Sequence, residues 1–349
     1  MSNLEQLLNR FRQQAEAVLD PETRAYFFGT AGRGMTAAGN RAGLDALALR
    51  PRVLADMAGA STRITLLGQA LDHPILIAPF AHHAALHPQA EAATAAAVTA
   101  QGGRMVLSAQ ASLPLEQVAA AGAGCDWFQL YWIGAEATLA LAHRAAAAGF
   151  RALMLTVDAP VRAGAGLVGA VMPNLPDMPA PVGGVFAMMQ QAPRWQDLEW
   201  LCRTAPLPVL VKGILHPDDA RWAEAAGVAG IVVSNHGGRV LDGVIPAVRA
   251  LPGVRAATTL PLLLDGGIRS GADVLRALAL GADAVMIARP VACALAADGA
   301  MGVARLIRAL RDDLEISMAL TGCADLRAVD QGLIAGPGDD LSHFCHNTK

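Results

Sequence analysis

The sequence predicts a closed (β/α)8 barrel, on three observations. Eight short apolar runs recur between residues 74 and 290, each ending in polar or small residues. Alanine-rich segments of helical composition lie between them, and several close on glycine. No glycine fingerprint for a dinucleotide follows the first run, which argues against an open doubly wound sheet. Continuous apolar strands alternating with helices imply a parallel sheet covered on both faces, and eight such units fit a barrel.

Residues 1–73 precede the repeat and are expected to form a helical extension packed on a barrel of residues 74–349. Their opening, MSNLEQLLNRFRQQAEAVLD, carries charge throughout and has the pattern of an amphipathic helix, not a signal peptide. The runs follow in order: PILIAPF (74–80), RMVLSA (104–109), WFQLYW (127–132) and ALMLTVD (152–158), then PVLVKG (208–213), GIVVSN (230–235), PLLLDGG (261–267) and AVMIARP (284–290). After the fourth run the chain makes a long excursion, residues 159–194, rich in Gly, Pro, Met and Ala. It leaves from the C-terminal side of the sheet, where barrel active sites lie, and reads as a lid loop.

Composition narrows the partners. The 349 residues are 54% hydrophobic and 16% charged, enough for a large core, and the net charge of −3 gives no reason to expect nucleic acid or an anionic membrane. The apolar stretch AGAGLVGAVMP (163–173) is interrupted by glycine and proline and falls short of the roughly 18 residues of a membrane span. Five dispersed cysteines lack metal-type spacing and read as reduced thiols of a cytoplasmic protein. The close His343, Cys345 and His346 read as tail composition, so no metal is expected.

In a barrel the C-terminal strand ends converge on one site. Here they carry Pro79 and Ala81, Ser108, Gln129 and Tyr131, Thr156 and Asp158, Lys212, Ser234 to Arg239, Asp265 to Arg269, and Ala288 with Arg289. A packed core does not require polar side chains at that density. The stretch IVVSNHGGR therefore aims His236 and Arg239 at the point the other strand ends share. At the seventh and eighth ends, Gly267, Arg269 and Arg289 stand beside helix starts, a combination of amides and guanidiniums suited to phosphate. Gln129, Thr156 and Lys212 suit the edge of a flat heterocycle, and an ammonium near a ring nitrogen stabilises charge as the ring accepts hydride. Together these features point to flavin mononucleotide (FMN).

From Tyr26 to Cys323 the chain resembles the FMN-dependent 2-hydroxy acid oxidases and dehydrogenases, such as glycolate oxidase, lactate oxidase and mandelate dehydrogenase. The resemblance is carried by NRAGLDALALRPRVLADM, WFQLYW, LTVDAP, PVLVKGI, IVVSNHGGR and LLLDGGIRSGADVLRALALGADAVMIARPV. It implies oxidation of a 2-hydroxy acid to the 2-oxo acid, with oxygen or another acceptor reoxidising the flavin. It implies His236 as base, Asp158 as the carboxylate holding its imidazole, and Tyr131 near the substrate hydroxyl. Arg239 and Tyr26 would bind the substrate carboxylate. Ser108, Gln129, Thr156, Lys212, Asp265, Arg269 and Arg289 would hold FMN, with Pro79, Ala81, Ser234, Gly267 and Ala288 at the same strand ends. Ala81 matches a small residue that oxidases of the family often carry beside the flavin. The resemblance also suggests a homo-oligomer, a tetramer or larger.

One departure stands out. Where the family usually places an arginine that also clamps the carboxylate, this chain reads VRAGAGLVGA, with Gly164 and Ala165 at the matching positions and Arg162 out of register. The excursion instead gains Val168, Val171, Met172, Val185, Phe186, Met188 and Met189. A larger, more apolar or conjugated substrate is expected. The alternative is a repurposed flavin-binding member, isomerising or modifying a larger substrate or serving a non-catalytic role.

Overall fold

The computed structural model describes residues 3–160, 167, 169–175 and 184–335. A short hairpin, β1 (Ile64–Leu66) and β2 (Gln69–Leu71), precedes eight parallel strands. These are β3 (Ile75–Ile77), β4 (Arg104–Ser108), β5 (Trp127–Leu130), β6 (Ala152–Thr156), β7 (Val209–Ile214), β8 (Gly230–Val233), β9 (Leu262–Asp265) and β10 (Ala284–Ile287). They close into a barrel in sequence order, with β10 pairing back onto β3. Each of the eight runs is one of its strands.

Side chains alternate across a strand, and the barrel uses that period of two to separate two cores. Ile77, Leu107, Phe128, Leu155, Val211, Ile231, Leu264 and Val285 face outward into the layer that packs against the helices. Leu76, Val106, Trp127, Met154, Leu210, Val232, Leu263 and Met286 fill the interior. Leu66 and Leu71 of the hairpin join that inner cluster from below. Sequence reading gave no sign of this floor. Continuing the inward parity upward reaches Ala78, Ser108, Gln129, Thr156, Lys212, Ser234, Asp265 and Ala288. The polar layer at the top is therefore the last inward position of each strand.

The outer layer consists of α4 (Ala90–Ala100), α5 (Leu115–Ala121), α6 (Ala135–Ala147), α7 (Gly184–Gln190), α8 (Trp195–Thr204), α9 (Pro217–Ala225), α10 (Ala247–Ala257), α11 (Gly271–Ala279) and α12 (Arg289–Thr321), numbered after three helices of the extension. Those three are α1 (Asn3–Val18), α2 (Pro21–Phe28) and α3 (Met35–Asp45). Helix α1 buries Leu4, Phe11 and Ala15 and packs along α12. Asp20 caps α2 by accepting from the Thr23 N–H, and Pro21 fixes its first turn. Helix α12 is long and apolar enough to cross a membrane by length and composition. It is mostly buried against the barrel, however, and its backbone breaks helical form at Asp298 and Gly299. Within the expected lid, the described part contains α7, all of whose residues are at least partly exposed. Arg162, Gly164, Ala165, Val168, His343, Cys345 and His346 lie outside the described residues.

Candidate active site

The polar top layer opens into a cleft of about 1040 Å3 between protein atoms, counting its open mouth. Fifteen of the expected site residues line it: Tyr26, Pro79, Ala81, Ser108, Gln129, Tyr131, Thr156, Lys212, His236, Arg239, Asp265, Gly267, Arg269, Ala288 and Arg289. Asp158 and Ser234 stand one layer behind. Phe27, Phe80 and Gln110 also line the cleft, without a role assigned from sequence. Gln110 directly follows the second apolar run, so extending each run by one residue would have found it.

The turn after β8 explains the Gly-Gly pair. His236 itself lies in the left-handed region, φ 56°, an uncommon conformation for a residue with a Cβ. Gly237 (φ 62°) and Gly238 (φ 75°) continue the bend, and a Cβ on Gly238 would stand 2.6 Å from the Ala37 nitrogen. The His236 N–H donates to Ser234 Oγ at 3.0 Å, which fixes the turn. His236 Nδ1 is 2.9 Å from Asp158 Oδ1. Burial pulls the Asp158 pKa up, but Lys212 and the His236 bond prevail and hold it below its ordinary value. An ionised carboxylate only accepts, so Nδ1 carries a hydrogen toward Asp158 and Nε2 is the ring nitrogen left for the cleft.

Around that ring stand the two tyrosines and Arg239. Burial pushes the Tyr131 phenol up to about 12, against the pull of Lys212, so it remains a donor at neutral pH. The Arg239 guanidinium lies 5.2 Å from the centre of the Tyr26 ring and donates to the Phe27 carbonyl at 3.2 Å. That single neutral carbonyl leaves most of its five donors for a ligand.

A second pole is cationic. Burial, then the neighbouring Arg239 and Arg269, lowers Arg289 to about 10, still charged at neutral pH. Its bond is to the Gly237 carbonyl, at 2.6 Å. Burial also lowers Arg269. Among the described residues none of these three guanidiniums is hydrogen-bonded to a carboxylate, and their shared charge is suited to binding an anion. The helix starts contribute less than expected. At α11 the Arg269 and Ser270 amides donate to Asp273 Oδ2, at 2.9 and 3.1 Å, and the Gly271 amide donates to Asp313 at 2.6 Å. Side chains of α11 and α12 thus take the amides of Arg269, Ser270 and Gly271.

Between the poles lie unpaired buried atoms that a cofactor must satisfy. Gln129 Oε1 accepts from Ser108 Oγ (3.2 Å) and the Ala109 amide (3.3 Å), which leaves Nε2 as a donor with no protein partner among the described residues. Asp265 Oδ2 is 3.0 Å from Lys212 Nζ, whereas its Oδ1 has none. Lys212 also donates to Ser234 Oγ at 2.8 Å. Burial works to discharge this lysine, but Asp265 and Asp158 outweigh it and raise its pKa, so one charged N–H remains for the cleft. Donors at a ring edge, an acceptor for hydroxyls and a cationic pole fit a flavin ring, a ribityl chain and a phosphate in turn.

Comparison with known proteins agrees. A family model described as FMN-dependent dehydrogenase matches residues 15–165 and 174–336, its break falling inside the excursion after β6. An L-lactate oxidase of Alicycliphilus denitrificans is 45% identical over 90% of this chain and 92% of its own length. A glycolate oxidase of Spinacia oleracea is 38% identical over 96% and 97%. A crystal structure of mandelate oxidase with (S)-4-hydroxymandelic acid superposes with a TM-score of 0.85 at 36% identity, covering 94% of this chain and 98% of that one. The chain belongs to the FMN-dependent dehydrogenases, oxidoreductases that carry FMN.

Proposed function

We propose that this protein oxidises a 2-hydroxy acid to the corresponding 2-oxo acid, and that oxygen reoxidises the flavin. The observation that carries this reading is the His236–Asp158 pair, 2.9 Å apart, facing a cleft where Tyr26, Tyr131 and Arg239 converge. FMN supplies a two-electron acceptor. Arg239 and Tyr26 bind the substrate carboxylate, Tyr131 donates to its hydroxyl, and His236 Nε2 takes up a substrate proton. Asp158 keeps the ring oriented and stabilises the imidazolium as it forms. Overall the substrate gives up two electrons and two protons, and its C–OH becomes C=O. Lys212 and Gln129 would face the ring edge, while Arg269 and Arg289 would hold the phosphate. Ala81 at the cleft supports oxygen as acceptor, as do the names of the oxidase relatives.

The substrate class follows from the missing arginine at Gly164 and Ala165 and from the apolar Phe27 and Phe80 in the cleft wall. Both favour a bulky, apolar or conjugated 2-hydroxy acid. The described cysteines are unpaired thiols, which supports a reducing, cytoplasmic setting. Val53 and Leu54 stand fully in solvent, 82% and 101% exposed, which supports a homo-oligomer whose interface covers them. Anaerobic mixing of the yellow protein with a panel of 2-hydroxy acids tests the reaction. Bleaching by at least one of them, and peroxide on readmission of air, is the expected result. No bleaching by any would overturn it.

A further inference from the structure

The residues that touch the cofactor cleft are themselves held by the N-terminal extension, through two adjacent side chains of α3. Asn40, 2% exposed, exchanges two amide hydrogen bonds with Asn235, each 2.8 Å, and its Oδ1 also accepts from the Ala247 amide. It lies against the glycine turn after β9. A Cβ on Gly266 would come within 2.9 Å of Asn40 Nδ2, and one on Gly267 within 2.8 Å of the Asn40 carbonyl oxygen. Arg41 then grips the turn. Its Nη1 donates to the Gly267 carbonyl at 2.7 Å and to Asp273 Oδ2 at 2.6 Å, and its Nη2 donates to Asp273 Oδ1 at 2.7 Å.

That grip has a geometric consequence. In a trans peptide the C=O and the N–H of one unit point in opposite directions, and no peptide here is cis. With the Gly267 carbonyl turned outward onto Arg41, the N–H of Ile268 is turned away from α3. Ile268 lines the cleft, and among the described residues nothing accepts from its N–H. Both flanking glycines are left-handed, φ 94° and 90°, a backbone that would swing readily without an external hold. The three amides that follow it, those of Arg269, Ser270 and Gly271, are already spent on Asp273 and Asp313.

We infer that Arg41 is a positioning residue for the FMN phosphate: by holding the Gly267 carbonyl it presents the Ile268 N–H to the phosphate oxygens. It does so from outside the cleft, and its own charge is matched by Asp273. The N-terminal extension thereby completes the phosphate cradle as well as supplying Tyr26. This inference rests on the phosphate placement proposed above.

Riboflavin, which lacks the phosphate, separates this role from a general loosening of the fold. The full chain, stripped of flavin, is titrated with FMN and with riboflavin by fluorescence quenching, as wild type, Arg41→Lys, Arg41→Met and Arg289→Met. Arg41→Lys keeps the charge but cannot span Gly267 and Asp273 with a planar fork, and Asp273 keeps Arg276 at 2.9 Å, so this variant folds even if Arg41→Met does not. The expected result is FMN affinity about tenfold weaker in Arg41→Lys, with riboflavin affinity changed less than about twofold. An equal loss for both ligands would make Arg41 merely structural and overturn the inference. FMN affinity lost in Arg289→Met but unchanged in Arg41→Lys would overturn the positioning role alone. Unchanged FMN affinity in both would overturn the phosphate placement, and this role with it.

Discussion

His236 sits in a left-handed backbone conformation that costs about 1–2 kcal/mol for a residue with a side chain. The cost places the ring over Asp158, with Nε2 toward the cleft. His236→Ala should therefore keep its yellow colour, because the imidazole is not among the groups assigned to hold FMN, yet lose about 10²–10⁴-fold in the rate of anaerobic flavin reduction. Stopped-flow bleaching checks this, and a near-normal rate would remove His236 as the base. Asp158→Asn should be the milder lesion, since the ring stays but its tautomer is no longer enforced. Sequence was informative at this scale wherever a functional group closes a strand. It was blind to layering, and Ser234 illustrates why. A strand end names the residue but does not say that its hydroxyl accepts from both Lys212 and the His236 amide and so stands behind the cleft, not in it.

Seven of the eight strands are shorter than the apolar runs that announced them, because the last residues of those runs leave the ladder to build the site; β7 alone runs on, to Ile214. Run PLLLDGG covers 261–267, whereas β9 ends at Asp265 and hands over to two left-handed glycines. Patterning predicts the ladder from hydrophobicity, and the bend beyond it is set by contacts with α3 that no local pattern contains. Gly238→Ala tests such a contact. Its left-handed backbone and its 2.6 Å approach to the Ala37 nitrogen leave no room for a methyl group, so the melting temperature should fall and the turn carrying His236 should separate from α3. A melting temperature equal to wild type would show that α3 yields freely. The α11 cap carries a pH signature. Burial raises the pKa of Asp273, but the Arg41 bonds outweigh it and hold it below the ordinary 3.8. A depressed carboxylate contributes stability above its unfolded pKa and loses it as pH falls through the folded one. Stability should thus hold from neutrality to about pH 4 and decline below it, and Asp273→Asn should flatten that decline while being less stable at neutral pH. Thermal melts between about pH 2 and 7 decide; an unchanged acid slope would count against the pair.

At the scale of the whole molecule, the barrel carries the flavin site, and on the reading proposed above the segments outside the repeat set its selectivity. The extension brings Tyr26 and Phe27 to the cleft, and the excursion after β6 carries the one clear departure from the family pattern. Gly164 and Ala165 stand where the family usually places a second carboxylate arginine, so on the reading proposed above the substrate carboxylate falls mainly to Arg239 and Tyr26. Affinity then has to come from apolar surface, at about 25 cal/mol per Å2 removed from water. Helix α7 of the excursion carries exposed apolar side chains, Phe186 80%, Val185 56% and Met189 55%, although none of them lines the cleft in this structure, so the prediction needs the helix to fold over the substrate. Aromatic or long-chain 2-hydroxy acids, or their esters, should accordingly reduce the flavin with higher kcat/KM than glycolate or lactate. Ala165→Arg should restore a charge-assisted partner for the carboxylate and move the preference toward small free acids, whereas Phe186→Ala should weaken the large substrates and leave the small ones alone. The kinship to lactate and glycolate oxidases supplies the opposing outcome. If the wild-type enzyme prefers lactate or glycolate over every larger acid tested, the excursion does not select for bulk, and Arg162 becomes the residue to mutate for a second carboxylate contact.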